Sequence, residues 1–216
     1  MKIAAIVALL LGAWIAWDMD APRAHDLREF DGHEVGRLET DMWRSYYEHR
    51  PVRLFGELAE TLRTQYGFPL WRSYTGAFYA ARAAEVFQAG HGRSDYMRAL
   101  PDLVKYYALI RRSTTPAFDV NKVAALELEW WIIHRERKQY GREALDRSLA
   151  ELQAAIYQQP SELFTEHARA RADGMLLRDQ RGETGSPSPE DWKKVQDFLD
   201  VSWVSLQKAV MPEPKS

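Results

Sequence analysis

An acidic and an imidazole side chain stand out on one predicted helix because their neighbours are apolar. Residues 123–133 are apolar except for Glu127 and Glu129, and His134 follows directly. At helical spacing Glu127 and His134 share one face, whereas Glu129 points away and can be solvated or pair with an arginine. A carboxylate among apolar groups must pair with a partner or raise its pKa. This pattern is typical of a buried polar site in an enzyme or a small-ligand binder.

Three further residues break apolar patterns elsewhere in the chain. Arg82 and Glu85 are the only charged residues of the span 74–87, and their spacing lets them contact each other on a helix. We expect this pair to lie inside the bundle, on a helix that is central because it has no polar face. His167 lies on the apolar stripe of another predicted helix. The five residues together are the candidate buried polar site, and the alternative is that each has its own local partner inside a packed core.

The spacing of these residues argues against a metal centre. Glu127 and His134 would lie about 10.5 Å apart along a helix axis, too far to share one ion at ligand distances of about 2 Å. No acidic residue precedes any of the six histidines by three positions, so the Glu-x-x-His pattern of helical di-iron proteins is absent. The chain has no cysteine, which excludes thiolate nucleophiles and Cys-ligated metals. The sequence therefore predicts no metal and no cofactor.

The charge balance indicates which partners to expect. Lys and Arg number 29 and Asp and Glu number 31, for a formal net charge of −2. A general nucleic-acid binder usually has a basic excess, so nucleic acid is not an expected partner. Apolar residues make up 46% of the chain and charged residues 28%, which is typical of a globular protein.

The N-terminus carries an export or anchoring signal. Residues 3–17 are uncharged and mostly apolar, with Lys2 before them and Asp18 after them. Their helical length of about 22 Å is short for a membrane core of about 30 Å, which favours a cleaved signal peptide. The lack of a small-x-small cleavage site, and the interfacial character of Trp14 and Trp17, favour an uncleaved anchor. A buried helix of the domain is the third possibility.

The rest of the chain divides into a tether, a helical domain and a tail. Residues 18–33 are polar and contain proline and glycine, which predicts a tether between membrane and domain. Residues 34–210 have helical periodicity almost throughout, and residues 211–216 form a proline-containing tail. The predicted helices span about 34–66 (kinked or split at Pro51), 70–89, 94–112, 119–140, 142–158, 160–180 and 189–210.

These elements predict an all-α fold, a bundle of six to seven helices after the hydrophobic anchor. A short helical-hairpin solenoid is the alternative, because Tyr96-x-x-Ala99-Leu100-Pro101 resembles part of a tetratricopeptide unit. The pattern does not recur one period later, which favours the closed bundle.

The chain resembles uncharacterised bacterial helical proteins with an N-terminal anchor. The likeness rests on residues 43–48 (WRSYYE), on Tyr96-x-x-Ala99-Leu100-Pro101-x-Leu103 and on residues 126–131 (LELEWW). It implies a bacterial envelope setting and supplies no activity or site residue. We therefore expect a single-pass inner-membrane protein whose domain faces the periplasm or exterior, or a protein secreted to the periplasm. The expected role is a binding or accessory subunit, with another envelope protein as partner. The alternative is an enzyme or small-ligand binder that uses the buried site.

Overall fold

A computed structural model describes residues 2–22 and 24–211. Its α-helices are α1 (Lys2–Asp20), α2 (Gly32–Tyr47), α3 (Pro51–Thr64), α4 (Leu70–Ala89), α5 (Arg93–Tyr96), α6 (Leu100–Ser113), α7 (Val120–Arg135), α8 (Arg137–Tyr140), α9 (Arg142–Tyr157), α10 (Thr165–Thr184) and α11 (Pro189–Val210). Two short strands, β1 (His25–Asp26) and β2 (Thr114–Thr115), pair in parallel. The prediction of an all-α fold with an N-terminal apolar helix is confirmed.

Several helix boundaries follow from local chemistry that is visible in the sequence. The Asp119 side chain accepts a hydrogen bond from the backbone of Lys122 at the start of α7. Ser188 and Asp191 form a capping box at the start of α11, with proline in its first turn. Pro51 begins α3, so the predicted helix 34–66 is two separate helices. These residues determine where each of these helices begins. The starting residue in turn sets the position of each later side chain along the helix axis.

The long helices after α1 close into a ring. Within the described part of the chain, α2, α3, α4, α6, α7, α9, α10 and α11 each pack against the next, and α11 packs back against α2. This closure agrees with a closed bundle and not with an open solenoid. Gly32 and Gly36 let α2 and α11 approach closely, since a Cβ at Gly36 would lie 2.9 Å from the backbone nitrogen of Asp200.

Helix α4 is a member of this ring and not its centre. Its Ala77 and Ala83 are fully buried, whereas Tyr74 and Phe78 are exposed. The expectation of a central α4 is therefore wrong. The helix lacks a polar face because its inner side meets other helices while aromatic rings occupy part of its outer side.

Helix α1 projects from the ring. It is long and apolar enough to be a membrane anchor or a signal sequence, and nearly all of its side chains are exposed. Its last turn meets the start of α4, where Asp18 is buried. Residues 18–33 differ from a free tether, because α1 continues to Asp20, β1 pairs with β2, and Leu27 and Phe30 are buried in the core.

Candidate functional site

The helices of the ring surround a partly open cavity of about 590 Å³. Ligand pockets in proteins typically measure about 300–1,000 Å³. Each of the eight ring helices contributes side chains to the wall, and the exposed surface of that wall is mostly apolar. The aromatic members of the wall are Trp43, Tyr46, Tyr47, Tyr66, Phe87, Tyr106, Tyr107, Phe118, Trp130, Trp131, Tyr157 and Trp203.

The cavity has an anchor end, where α1 meets α4, and a far end, where the last turns of α4 and α7 meet. At the anchor end the segment 24–31 crosses the ring and places Leu27 in the cavity wall. The Tyr157 hydroxyl donates to the Leu27 carbonyl at 3.1 Å, and Gln207 of α11 donates to the Phe30 carbonyl. The segment expected to be a tether therefore contributes Leu27 to the cavity wall.

A buried ion pair lies in the cavity wall. Glu39 of α2 and Arg171 of α10 are 4% and 8% exposed, and Arg171 Nε donates to Glu39 Oε1 at 3.1 Å. The indole N–H groups of Trp43 and Trp203 also donate to Glu39. Burial alone would lower the pKa of Arg171, but the nearby carboxylates Glu39 and Glu127 outweigh it and raise this pKa. Arg171 is therefore charged, and it stacks 4.8 Å from the centre of the Trp130 ring.

Glu127 lies in the same wall and is held by neutral donors. The Tyr107 hydroxyl donates to Glu127 Oε2 at 2.8 Å, and Trp131 Nε1 donates to Glu127 Oε1 at 2.9 Å. Burial, and then the nearby Glu127 charge, raise the pKa of Tyr107, so its phenol stays protonated and able to donate. Each Glu127 oxygen accepts one of these bonds, which leaves further acceptor capacity on the carboxylate.

His134 belongs to a different polar group, at the far end of the cavity. Its Nε2 lies 3.0 Å from Asp179 Oδ2, and Asp179 also contacts Arg137 at 3.2 Å and Arg178 at 3.1 Å. Burial would raise the pKa of Asp179, but the hydrogen bond to His134 and the nearby cations outweigh it and lower this pKa. Glu127 and His134 thus face different neighbours while lining one open volume.

The structure places the other predicted residues away from this cavity. His167 is buried against α11, where its Nδ1 lies 3.1 Å from the Ser202 carbonyl, and burial lowers its pKa to about 3. Arg82 is exposed and pairs with Asp102 of α6, and Glu85 is exposed. The expected pairing of Arg82 with Glu85 inside the bundle is therefore wrong, because Arg82 reaches across to the neighbouring helix.

Sequence reasoning missed the ion pair of Glu39 and Arg171. A signal for both was present, since Glu39 follows Val35 by one helical turn and Arg171 follows His167 by one turn, which places each on an apolar stripe. Both residues also belong to segments rich in charge, where a solvated face is the ordinary interpretation.

The far end of the cavity carries a further arginine with structural partners. Arg135 donates to the carbonyls of Gln88 and Gly90 at 3.3 Å, at the C-terminal end of α4. Its guanidinium lies 4.6 Å from the centre of the Phe87 ring. A cation at a helix C-terminus satisfies carbonyls that have no partner within the helix.

Among residues 2–22 and 24–211, no three His, Asp or Glu side chains are grouped so as to hold a metal ion. The site thus consists of aromatic faces and a few charged or hydroxyl groups around an open volume. Neither a known protein family nor a curated protein nor a solved structure matches this chain.

Proposed function

We propose that this chain is a membrane-tethered helical binding protein that takes a small, largely apolar molecule into its ring. The observation that carries this proposal is the cavity of about 590 Å³ at the centre of the closed ring. Its wall combines aromatic surface with a few polar side chains, and this combination is typical of small-molecule sites. Apolar contact would supply most of the affinity, and the polar side chains would orient the ligand.

Binding fits the polar residues better than catalysis does. Glu127 is held by Tyr107 and Trp131, whereas His134 is held by Asp179. Two groups that transfer protons to one substrate should converge on the same reacting atoms. Here each side chain is fixed by its own neighbours, about two helical turns from the other along α7. The enzyme alternative would need a ligand that spans both groups.

The proposed setting is the bacterial inner membrane, with the ring facing the periplasm. The apolar helix α1 supports tethering, and the resemblance to anchored bacterial proteins supports the envelope. Cleavage of this helix, which would release the protein to the periplasm, is the alternative. A reporter fused after Ser216 should be active only in the periplasm, and activity in the cytoplasm would contradict this orientation. Sequencing the N-terminus of the mature protein distinguishes anchor from signal peptide.

Thermal unfolding of the full-length chain in lipid nanodiscs tests the binding role, with hexanol as a neutral apolar probe. At about ten times its Kd, hexanol should stabilise the fold by about 1.4 kcal/mol, which raises Tm by about 3–6 °C. Ala84→Phe, in the cavity wall, should abolish this shift by filling the space. Ala125→Phe, at an exposed position of α7, is the matched control and should retain it. An equal shift in both variants would contradict binding in the cavity.

An accessory role beside another envelope protein is a second candidate. Two exposed aromatic side chains one turn apart on α4 favour it, since Tyr74 is 37% exposed and Phe78 is 49% exposed. Such side chains suit a contact with a partner protein. A photo-crosslinking residue at position 78 should then capture a partner in cells, whereas the same residue at the exposed position 208 should not. Failure to crosslink from position 78 would remove this candidate.

A further inference from the structure

The charges in the cavity wall near the ion pair do not balance. Glu39 and Glu127 supply two carboxylates, whereas Arg171 supplies one guanidinium. Arg171 directs both of its side-chain hydrogen bonds to Glu39. No Lys, Arg or His nitrogen of the described residues lies within 4.0 Å of the Glu127 carboxylate. This part of the wall therefore carries one negative charge in excess, and that charge is centred on Glu127.

The charged groups at the far end do not supply the missing cation. Arg137 and Arg178 contact Asp179, and Arg137 also contacts Glu183 at 2.9 Å. Arg135 keeps its charge but is held by the carbonyl groups at the end of α4, more than two helical turns from Glu127 along α7. None of these cations lies within 4.0 Å of Glu127, so among the described residues this carboxylate forms no direct ion pair.

The surroundings of Glu127 suit a cation better than a neutral ligand. The rings of Tyr106, Tyr107 and Trp131 line the cavity together with Glu127. Aromatic faces attract cations, and the attraction to a carboxylate is stronger at a partly buried site than in bulk water. A bound cation would also use the acceptor capacity that Tyr107 and Trp131 leave free on this carboxylate.

We propose that the cavity binds an amine with an apolar body, whose ammonium group pairs with Glu127. This inference rests on the proposed binding function and adds the charge class of the ligand. The apolar body would occupy the aromatic and aliphatic part of the cavity, and the ammonium group would supply the cation that Glu127 lacks. An anionic ligand would instead have to pair with the arginines at the far end, where Arg137 and Arg178 already contact carboxylates.

Three probes with the same hydrocarbon chain separate these possibilities: hexylamine, hexanol and hexanoate. Their Kd values are measured by titration calorimetry on the full-length chain in nanodiscs, with empty nanodiscs as the blank. At neutral pH hexylamine is a cation and should bind about tenfold more tightly than hexanol, which corresponds to about 1.4 kcal/mol. Hexanoate should bind more weakly than either. Equal binding of hexylamine and hexanol, or tightest binding of hexanoate, would overturn the inference and leave the binding function intact.

Substitutions on α7 then locate the charge that selects the amine. Glu127→Gln should abolish the preference for hexylamine over hexanol, measured as the ratio of the two Kd values, and Glu127→Asp should keep it. Glu129→Gln removes the same charge from the same helix, but Glu129 pairs with Arg93 outside the cavity, so this variant should behave as wild type. A preference that survives Glu127→Gln would refute the assignment. If none of the probes binds to the wild type, the proposed function itself fails.

Discussion

Asp18 of α1 accepts hydrogen bonds from the N-terminus of α4, and Arg72 of α4 donates hydrogen bonds to the C-terminus of α1. Asp18 Oδ2, in the last turn of α1, accepts hydrogen bonds from the backbone N–H groups of Trp71 and Arg72 at 2.7 and 3.3 Å. The Arg72 guanidinium, in the first turn of α4, donates to the carbonyls of Asp18, Met19 and Ala21 at 2.8–3.0 Å. An acid at a helix N-terminus and a cation at a helix C-terminus both interact favourably with the helix dipole. The two residues therefore fix α1 to the ring.

Removing the arginine should release α1 from the ring. Arg72 is fully buried, so Arg72→Met leaves three carbonyls at the end of α1 and the Ser113 hydroxyl without the guanidinium donors that they contact. We expect a loss of about 2–4 kcal/mol in the free energy of unfolding and faster hydrogen exchange in residues 17–22. Arg112→Met is the control, because Arg112 pairs with Asp20 at the exposed surface and should cost at most about 1 kcal/mol. Equal costs for the two variants would contradict the role of Arg72.

The ion pair of Glu39 and Arg171 should show strong energetic coupling. Arg171→Met leaves Glu39 buried without its cation and should cost about 3–5 kcal/mol of stability, measured by urea unfolding. Adding Glu39→Gln removes the stranded charge, so the double variant should be more stable than the single Arg171 variant. If the second substitution instead adds its full cost to the first, the two residues do not act as a pair.

His167 should make the stability of the protein depend on pH. Burial lowers its pKa to about 3, so between that pH and its ordinary pKa of 6.5 only the unfolded chain binds the proton. The contribution of this neutral imidazole is complete above about pH 6.5 and is lost as the pH falls, by up to about 1.4 kcal/mol per unit. From pH 7 to pH 5 the loss attributable to His167 should be about 2 kcal/mol.

Urea unfolding of two variants at these pH values isolates the effect of His167. His167→Asn keeps a donor near the position of Nδ1 and should remove this part of the pH dependence. His91→Asn changes an exposed histidine and should retain it. An unchanged pH dependence in His167→Asn would show that another group is responsible.

Gly36 tests the close contact between α2 and α11, and Gly56 of α3 is the control glycine. A Cβ at Gly36 would lie within 3.0 Å of backbone atoms of Asp200, so Gly36→Ala must push the helices apart. We expect it to cost about 1–3 kcal/mol by overpacking. Gly56 of α3 has open space around its Cα, so Gly56→Ala should stabilise the protein by about 0.5–1 kcal/mol through helix propensity. Urea unfolding of both variants measures the contrast, and stabilisation by Gly36→Ala would contradict the close approach.

The sequence predicts the helices well because their limits depend on neighbouring residues. Asp119, Ser188 and Pro51 act through local caps or backbone restriction, and each marks a helix boundary in the structure. The burial of the segment 24–31 depends instead on a distant pairing with β2 and on Tyr157. Local composition cannot distinguish such a segment from a solvated tether.

The cavity could not be predicted from periodicity. An apolar residue that faces a neighbouring helix and one that faces an open volume have the same spacing, so Leu58 and Ala84 give no sign that they line a space. The shared helical face of Glu127 and His134 was predictable from helical geometry, whereas their separate partners were not. Those partners, Tyr107 and Asp179, come from other helices whose rotation depends on the whole ring.

The contact between α2 and α11 also has a consequence for synthesis, because the ring can close only after α11 has been made. The ribosome makes α2 before α11, so the surface of α2 around Gly32 and Gly36 that meets α11 has no partner until α11 has been made. A nascent chain stalled before residue 189 therefore lacks the helix that closes the ring, and its unfinished edge is a surface for chaperones or for aggregation.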